Sequence, residues 1–351
     1  VDMRTESRAT PTLAEKVAFL STAAAHPGHE GPISFRETHM SWLFFLDGAV
    51  YKLKKPVRFP YLDFSTLARR EAACRAELAL NQRLAPNIYE AVVPIVATAG
   101  GLALGGDGEV VDWLVRMRRF DPAQTLEARL VAGELTAQEL DALGGFLARF
   151  YQRAARVHIT PAAYLRSFRN GLAYHRRVLL EPRLGLPVGL VRGVLAAQLR
   201  FLRTQGDLLE TRVHQARILD AHGDLRPEHI WMGPPVKVID RLEFSASLRA
   251  VDPLDELAFL DLETERLGAP EVGARISRHV IAALHERNAS KVYLFYRCYR
   301  ATLRARLAIA HLLEPAPRTP EKWPRQARAY LAMAARDGRR LDRLISKPTG
   351  P

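Results

Sequence analysis

The sequence predicts an α+β protein, with a small, mostly antiparallel sheet and one helix in residues 1–119 and a larger, mainly helical part in residues 120–351. Three observations carry this. Asp47-Gly48 separates two apolar runs, a strong hairpin signal. From Thr136 onward apolar residues recur at spacings of three and four, with Pro or Gly at the joints. The run from His222 to Phe244 reads as loop, strand, turn and strand, with an aspartate at each end, Asp224 and Asp240.

Composition narrows the class. At 351 residues the chain can form two lobes or two ordinary domains, and 48% hydrophobic with 25% charged residues is a globular balance. No apolar run approaches a membrane span, and the start does not resemble a signal peptide, so no membrane association is expected. Two cysteines, Cys74 and Cys298, are too few for a disulfide framework and suit a reducing cytoplasm. The net charge of +13 suits an anionic ligand. Arginine is spread along many helices, however, and no zinc-finger spacing, basic tail or stacking motif supports a nucleic-acid partner. Nothing in the sequence specifies an oligomeric state.

Along the chain, Thr10-Pro11 caps a lead-in helix over Leu13–Ala24. His26-Pro27-Gly28-His29, with no further ligand nearby, reads as a solvated turn ahead of a metal site. Strands follow at Ile33–Phe35, Ser41–Leu46 and Ala49–Lys54, the period of two placing Lys52 and Lys54 on one face. Ser65 or Thr66 caps a helix to Leu84, ended by Ala85-Pro86-Asn87. Strands at Ala91–Thr98 and Glu109–Phe120 flank a Gly-rich turn from Gly100 to Gly108, which no Lys-Ser/Thr helix follows and which is therefore no phosphate loop. Helices are expected over Ala137–Val157, Pro161–Leu180, Val188–Glu210, Pro253–Leu267, Pro270–Glu286, Val292–Leu313 and Pro320–Leu344.

Two carboxylates held near each other by a hairpin can divide the work of phosphoryl transfer: one accepts the proton of the attacking hydroxyl, the other holds the metal that bridges nucleotide phosphates. His222-Gly223-Asp224-Leu225-Arg226-Pro227-Glu228-His229, followed by Val236–Asp240, resembles the H-R-D-L-x-x-x-N loop and metal-binding hairpin of protein kinases. Gly in place of the loop Arg is what the aminoglycoside phosphotransferase-like branch of that fold shows. The resemblance covers about residues 33–313 and implies a protein kinase-like two-lobe fold, with a nucleotide-binding lobe over 1–119 and a helical lobe over 120–351 carrying the catalytic loop.

The resemblance also implies roles. Asp224 becomes the base and Asp240 the Mg²⁺ ligand. His229 stands where the family places Asn as second metal ligand, and imidazole suits Mg²⁺ poorly. Asp240-Arg241-Leu242 replaces Asp-Phe-Gly, so no Phe-flip switch is inferred. Ala49-Val50-Tyr51-Lys52 matches the strand that presents a lysine to the α and β phosphates, favouring Lys52 over Lys54, and Glu77 is preferred to Glu71 or Asp63 as its partner. With no G-x-G-x-x-G present, backbone amides and the Thr38 or Ser41 hydroxyls would cover the phosphates, and backbone groups around Met117 would meet the adenine edge. Arg226 is placed to neutralise charge on the moving phosphoryl. Asp255 would brace the loop or simply favour its helix dipole, and Arg297, Arg300, Arg304 and Arg306 read as a solvated face ahead of a basic pocket wall.

The expected activity is thus transfer of the γ-phosphoryl of ATP, or another nucleoside triphosphate, to a hydroxyl of an unidentified small molecule. The alternatives are a pseudokinase that binds nucleotide or scaffolds without turnover, suggested by His229 and the missing glycine loop, and a basic nucleic-acid-associated protein. No Walker A sequence occurs, so a fused P-loop domain is not expected in this chain.

Overall fold

A threonine starts each of the first five helices: Thr12, Thr66, Thr125, Thr136 and Thr160 each accept a backbone N–H three residues on. The computed structural model describes residues 10–59, 61–287, 289–317 and 319–346. It divides into two compact units, one running to Gln124 and including Lys237–Ala246, the other comprising Thr125–Val236 and the chain from Ser247. The expected division at 119/120 differs in that the short segment bearing Asp240 belongs with the sheet.

The first unit begins with α1 (Leu13–Leu20), followed by β1 (Ser34–Glu37), β2 (Ser41–Phe45), β3 (Ala49–Lys54) and the short pair β4 (Arg58–Phe59) and β5 (Leu62–Asp63). After α2 (Leu67–Asn81) come β6 (Tyr89–Thr98), β7 (Gly101–Leu104) and β8 (Glu109–Arg118). Six strands form one antiparallel sheet in the order β1-β2-β3-β8-β6-β7. Alternation along β3 sends Leu53 and Tyr51 to the face that α1 covers, where Leu20, Phe44, Ile95 and Leu114 are buried. Lys52 and Lys54 go to the other face with α2. Asp112 of β8 anchors both helices. Its buried carboxylate accepts from Lys16 of α1 at 2.8 Å and from Arg70 of α2 at 2.7 Å, so each buried cation has its counter-charge.

The second unit contains α3 (Leu126–Ala132), α4 (Ala137–Arg153), α5 (Pro161–Leu179), α6 (Val188–Thr204) and α7 (Gly206–His214). The strand β9 (Leu219–Asp220) and the short β10 (Ile230–Trp231) follow; β11 (Lys237–Val238) returns the chain to the first unit, and α8 (Ala246–Arg249) stands at the boundary. Then come β12 (Ala250–Val251), antiparallel to β9, and α9 (Pro253–Arg266), α10 (Pro270–Ala283), α11 (Ser290–Ala310) and α12 (Lys322–Ser346). α9 is buried from Pro253 to Thr264 although it carries many carboxylates. α11 and α12 answer them: Arg300 grips Asp255 with two bonds of 2.7 Å, Arg304 reaches Glu263 at 3.0 Å, Arg297 pairs with Asp261 and Asp337, and Tyr330 donates to Glu263 at 2.7 Å.

Several expectations are corrected. Arg297 and Arg300 are not on a solvated face; both are buried because the α9 carboxylates require them. The Gly100–Gly108 turn contains a strand, β7, whose Leu102-Ala103-Leu104 run is too short to register as apolar periodicity. The expected helix over Val188–Glu210 breaks at Gln205-Gly206 into α6 and α7. α3 was not anticipated at all. His26 is not in a solvated turn but 4% exposed. Among the described residues no helix is long and apolar enough to cross a membrane.

Candidate active site

In the first unit, Glu77 is fully buried one turn before the end of α2, and two lysines share it. Lys52 Nζ donates to Glu77 Oε1 at 2.7 Å and Lys54 Nζ to Oε2 at 2.6 Å. The two lysines that the sequence set in competition therefore serve one carboxylate and differ in what else they reach. Lys52 continues to Asp240 Oδ1 at 3.0 Å, while Lys54 is buried against Glu243. Burial alone would lower the Lys52 pKa, but the Asp240, Glu77 and Glu243 carboxylates outweigh it and hold the ammonium well above its usual range. Burial likewise opposes ionisation of Glu77, and the two lysines overcome it, so this carboxyl titrates below the usual range.

Asp240 is aimed by its backbone. Its φ is +60°, a conformation uncommon outside glycine, asparagine and aspartate. Its N–H donates to the Tyr89 hydroxyl at 3.0 Å, and the next N–H, of Arg241, donates to Asn81 Oδ1 at 2.8 Å. Asn81 in turn donates through Nδ2 to the Glu77 carbonyl at 2.9 Å. One side chain thus ties the Glu77 helix to the strand end bearing Asp240, whose carboxylate remains 46% exposed. Glu71 lies elsewhere, paired with Arg75 on the surface, and Asp63 pairs with Arg69.

The other residues expected to meet nucleotide, Thr38, Ser41 and Met117, are placed less simply. Thr38 closes its own turn: its hydroxyl donates to the Ser41 carbonyl at 2.9 Å and accepts the Ser41 N–H at 3.0 Å, and Ser41 is buried. Met117 lies inside the ladder opposite Val50 and Tyr89, with sheet strands on both sides.

In the second unit the loop is braced by Glu256, not by Asp255, which is committed to Arg300. Glu256 accepts the backbone N–H of His222 at 3.2 Å, that of Gly223, and the Tyr151 hydroxyl at 3.1 Å. Gly223 has φ +90°, which explains glycine where protein kinases carry arginine. The Asp224 N–H donates to Nδ1 of the buried His222 at 3.2 Å. Burial alone would raise the Asp224 pKa, but Arg226, whose Nε lies 3.1 Å from Oδ2, with His229 and Arg304 beyond, holds this carboxyl below its usual range. Arg226 also pairs with Glu228 at 2.8 Å.

His229 has both ring nitrogens engaged. Since a carbonyl only accepts, Nδ1 must donate to the Asp224 carbonyl at 2.9 Å, which leaves Nε2 to accept from Arg226 at 3.3 Å. That donor set does not suit Mg²⁺, which selects oxygen. The half-exposed Asp240 carboxylate does suit it, since Mg²⁺ is commonly held by one or two carboxylates with phosphate oxygens and water completing the shell. Among the described residues no group of three or more His, Cys, Asp or Glu is arranged to hold a metal.

Glu256, Asn81, Tyr89 and Glu243 escape a linear reading. The only local signal was the pair Asp255-Glu256 at the start of a helix, where dipole and brace roles look alike.

No family model matches the sequence. An uncharacterized protein of Mycobacterium tuberculosis (strain H37Rv) and one of Mycobacterium bovis are each 30% identical over 304 residues, which cover 84% of this chain and 59% of each relative. The chain thus spans about three-fifths of the length of the curated relatives it matches. Among solved structures, choline kinase from Cryptosporidium parvum superposes with a TM-score of 0.57 at 11% identity, covering 94% of this chain and 97% of that one. A mutant aminoglycoside 2'-phosphotransferase-IIIa in complex with GDP superposes with a TM-score of 0.56 at 12% identity, covering 95% and 100%. The structural neighbours are aminoglycoside phosphotransferases and choline/ethanolamine kinases, and the fold is protein kinase-like, as the His222–Asp240 run implied.

Proposed function

We propose that this protein is a phosphotransferase that moves the γ-phosphoryl of ATP to a hydroxyl of a small molecule. The observation that carries the reading is the chain Glu77–Lys52–Asp240, with contacts of 2.7 and 3.0 Å, in a fold shared with small-molecule kinases. Lys52 would hold the α and β phosphates, with Lys54 fixing Glu77 from beneath. The adenine edge would meet backbone beyond Arg118, where β8 ends. Mg²⁺ held by Asp240 would neutralise charge on the β and γ phosphates.

In the reaction the acceptor oxygen attacks the γ phosphorus, the bond from that phosphorus to the bridging β–γ oxygen breaks, and ADP leaves with the electron pair. Asp224 takes the acceptor proton, and its depressed pKa keeps it ionised at neutral pH. Arg226 reaches the transferred group only by loosening its hold on Asp224 or Glu228. His229 orients the loop and is not a metal ligand in this reading. Two buried thiols, Cys74 and Cys298, fit a reducing cytoplasm.

The test is ADP formation over a panel of hydroxylated metabolites, including amino alcohols and aminoglycosides, with ATP and, because one neighbour is a GDP complex, GTP. We expect one acceptor to support turnover, Asp224→Asn to nearly abolish it, and nucleotide affinity to survive that change. Equal loss of binding and turnover in Asp224→Asn would remove the base role. Mg²⁺-dependent nucleotide binding with no turnover on any acceptor would favour the pseudokinase.

A further inference from the structure

The sheet of the first unit has a concavity on the face opposite Lys52. It has a volume of about 450 Å³ and is bounded by the Ala25–His29 turn, by Leu46, Ala49 and Tyr51, by Val93 and Leu104, and by Arg116. That is within the usual range for small-molecule sites. Ala25, Leu46, Ala49, Val93 and Leu104 give it apolar surface, polar atoms make up the larger share of the lining, and His26, His29 and Arg116 are among its walls.

The first is His26, 4% exposed, whose ring leans on Tyr51 at a centroid distance of 5.1 Å. Its Nε2 lies 2.9 Å from the Leu20 carbonyl, so Nε2 carries the proton and Nδ1 presents a lone pair. That Nδ1 is buried with no hydrogen-bond partner, and burial lowers the ring's pKa, keeping it neutral. An unanswered buried acceptor is destabilising, so a ligand that donates to it gains by satisfying it. The second is His29, whose buried Nε2 also lacks a hydrogen-bond partner. The third is Arg116 at the rim. Its carboxylate partner, Glu90 at 3.3 Å, also answers Arg118 at 3.6 Å, so two guanidiniums share one acid.

We propose that this concavity binds a small organic acid with an apolar body and a hydroxyl donor, the hydroxyl donating to His26 Nδ1 and the carboxylate meeting Arg116. Binding does not depend on the phosphotransfer reading, since none of these groups belongs to the Lys52–Asp240 cluster.

The experiment is calorimetric titration of the full chain with three probes: para-hydroxyphenylpropanoate, phenylpropanoate, which lacks the donor, and para-ethylphenol, which lacks the acid. We expect saturable binding of the first and about tenfold weaker binding of each of the others, one lost polar contact being worth about 1.4 kcal/mol. His26→Phe keeps ring volume and should erase the preference for the hydroxyl. Leu104→Trp fills the concavity without touching the polar groups and should abolish binding even if His26→Phe fails to fold. Equal affinities for the three probes, no heat with any of them at millimolar concentration, or unchanged binding in Leu104→Trp would overturn the proposal.

Discussion

The ring of His229 donates from Nδ1 to the backbone carbonyl of Asp224, the residue five positions earlier, at 2.9 Å. A residue at the position where the resemblance puts a second metal ligand instead fixes the shape of the loop that carries Asp224. His229→Asn should therefore lower kcat about tenfold or more, the equivalent of one lost loop hydrogen bond, with nucleotide affinity unchanged. Steady-state kinetics across Mg²⁺ concentrations checks this, and a rise in turnover or a lower Mg²⁺ requirement would count against it.

Arg226→Gln should shift the acid limb of the kcat profile to higher pH. The native Asp224 carboxyl titrates below its unfolded value because Arg226 outweighs burial. Its stabilising contribution is therefore present above the unfolded pKa and lost as pH falls through the folded one. Removing the guanidinium raises the folded pKa, so both protonation of the base and acid unfolding begin at higher pH. A pH–rate profile with an unmoved acid limb would assign that limb to another group.

Glu256→Gln should destabilise the protein by about 2–3 kcal/mol, because an amide cannot accept all that this buried carboxylate accepts and would turn a donor towards one of the Gly223 and His222 N–H groups. Thermal unfolding measures the loss. Tyr151→Phe, which removes only the hydroxyl contact, should cost less.

Lys52→Met and Lys54→Met should fail in different ways. Lys52→Met should weaken nucleotide binding and largely preserve folding, since Lys54 still answers Glu77. Lys54→Met strands buried Glu243 beside Glu77 and should cost about 3–5 kcal/mol. Adding Glu243→Leu should recover part of it. Denaturant unfolding of the three variants separates these outcomes, and equal stability of the two single variants would show that the lysines are interchangeable.

Residues whose placement is written in local runs were legible. Lys52 follows from a strand pattern, Asp224 and Asp240 from the ends of one loop and hairpin, and the helix starts from threonines. Glu77, preferred to Glu71 or Asp63, touches the expected lysine. What stayed hidden depends on chain segments far apart. Asn81 and Arg241 meet across 160 positions, and the α9 carboxylates find the arginines of α11 32 to 45 positions on. An arginine-rich helix has the same sequence appearance whether it faces water or a buried acidic helix, which is why α11 was misread. Glu256 shows the limit at its finest, where one residue decides which of two adjacent acids faces the loop.

Glu77, Glu243 and Asp240 set three carboxylates against the ammonium groups of Lys52 and Lys54. With all five ionised, the cluster carries one net negative charge, so a bare triphosphate approaches against repulsion and a divalent cation reverses the sign. Cation and nucleotide should therefore each raise the affinity of the other, by the same factor whichever is added first. Metal-free nucleotide should be a poor competitor of the metal-bound form, with its disadvantage shrinking as added salt screens the field.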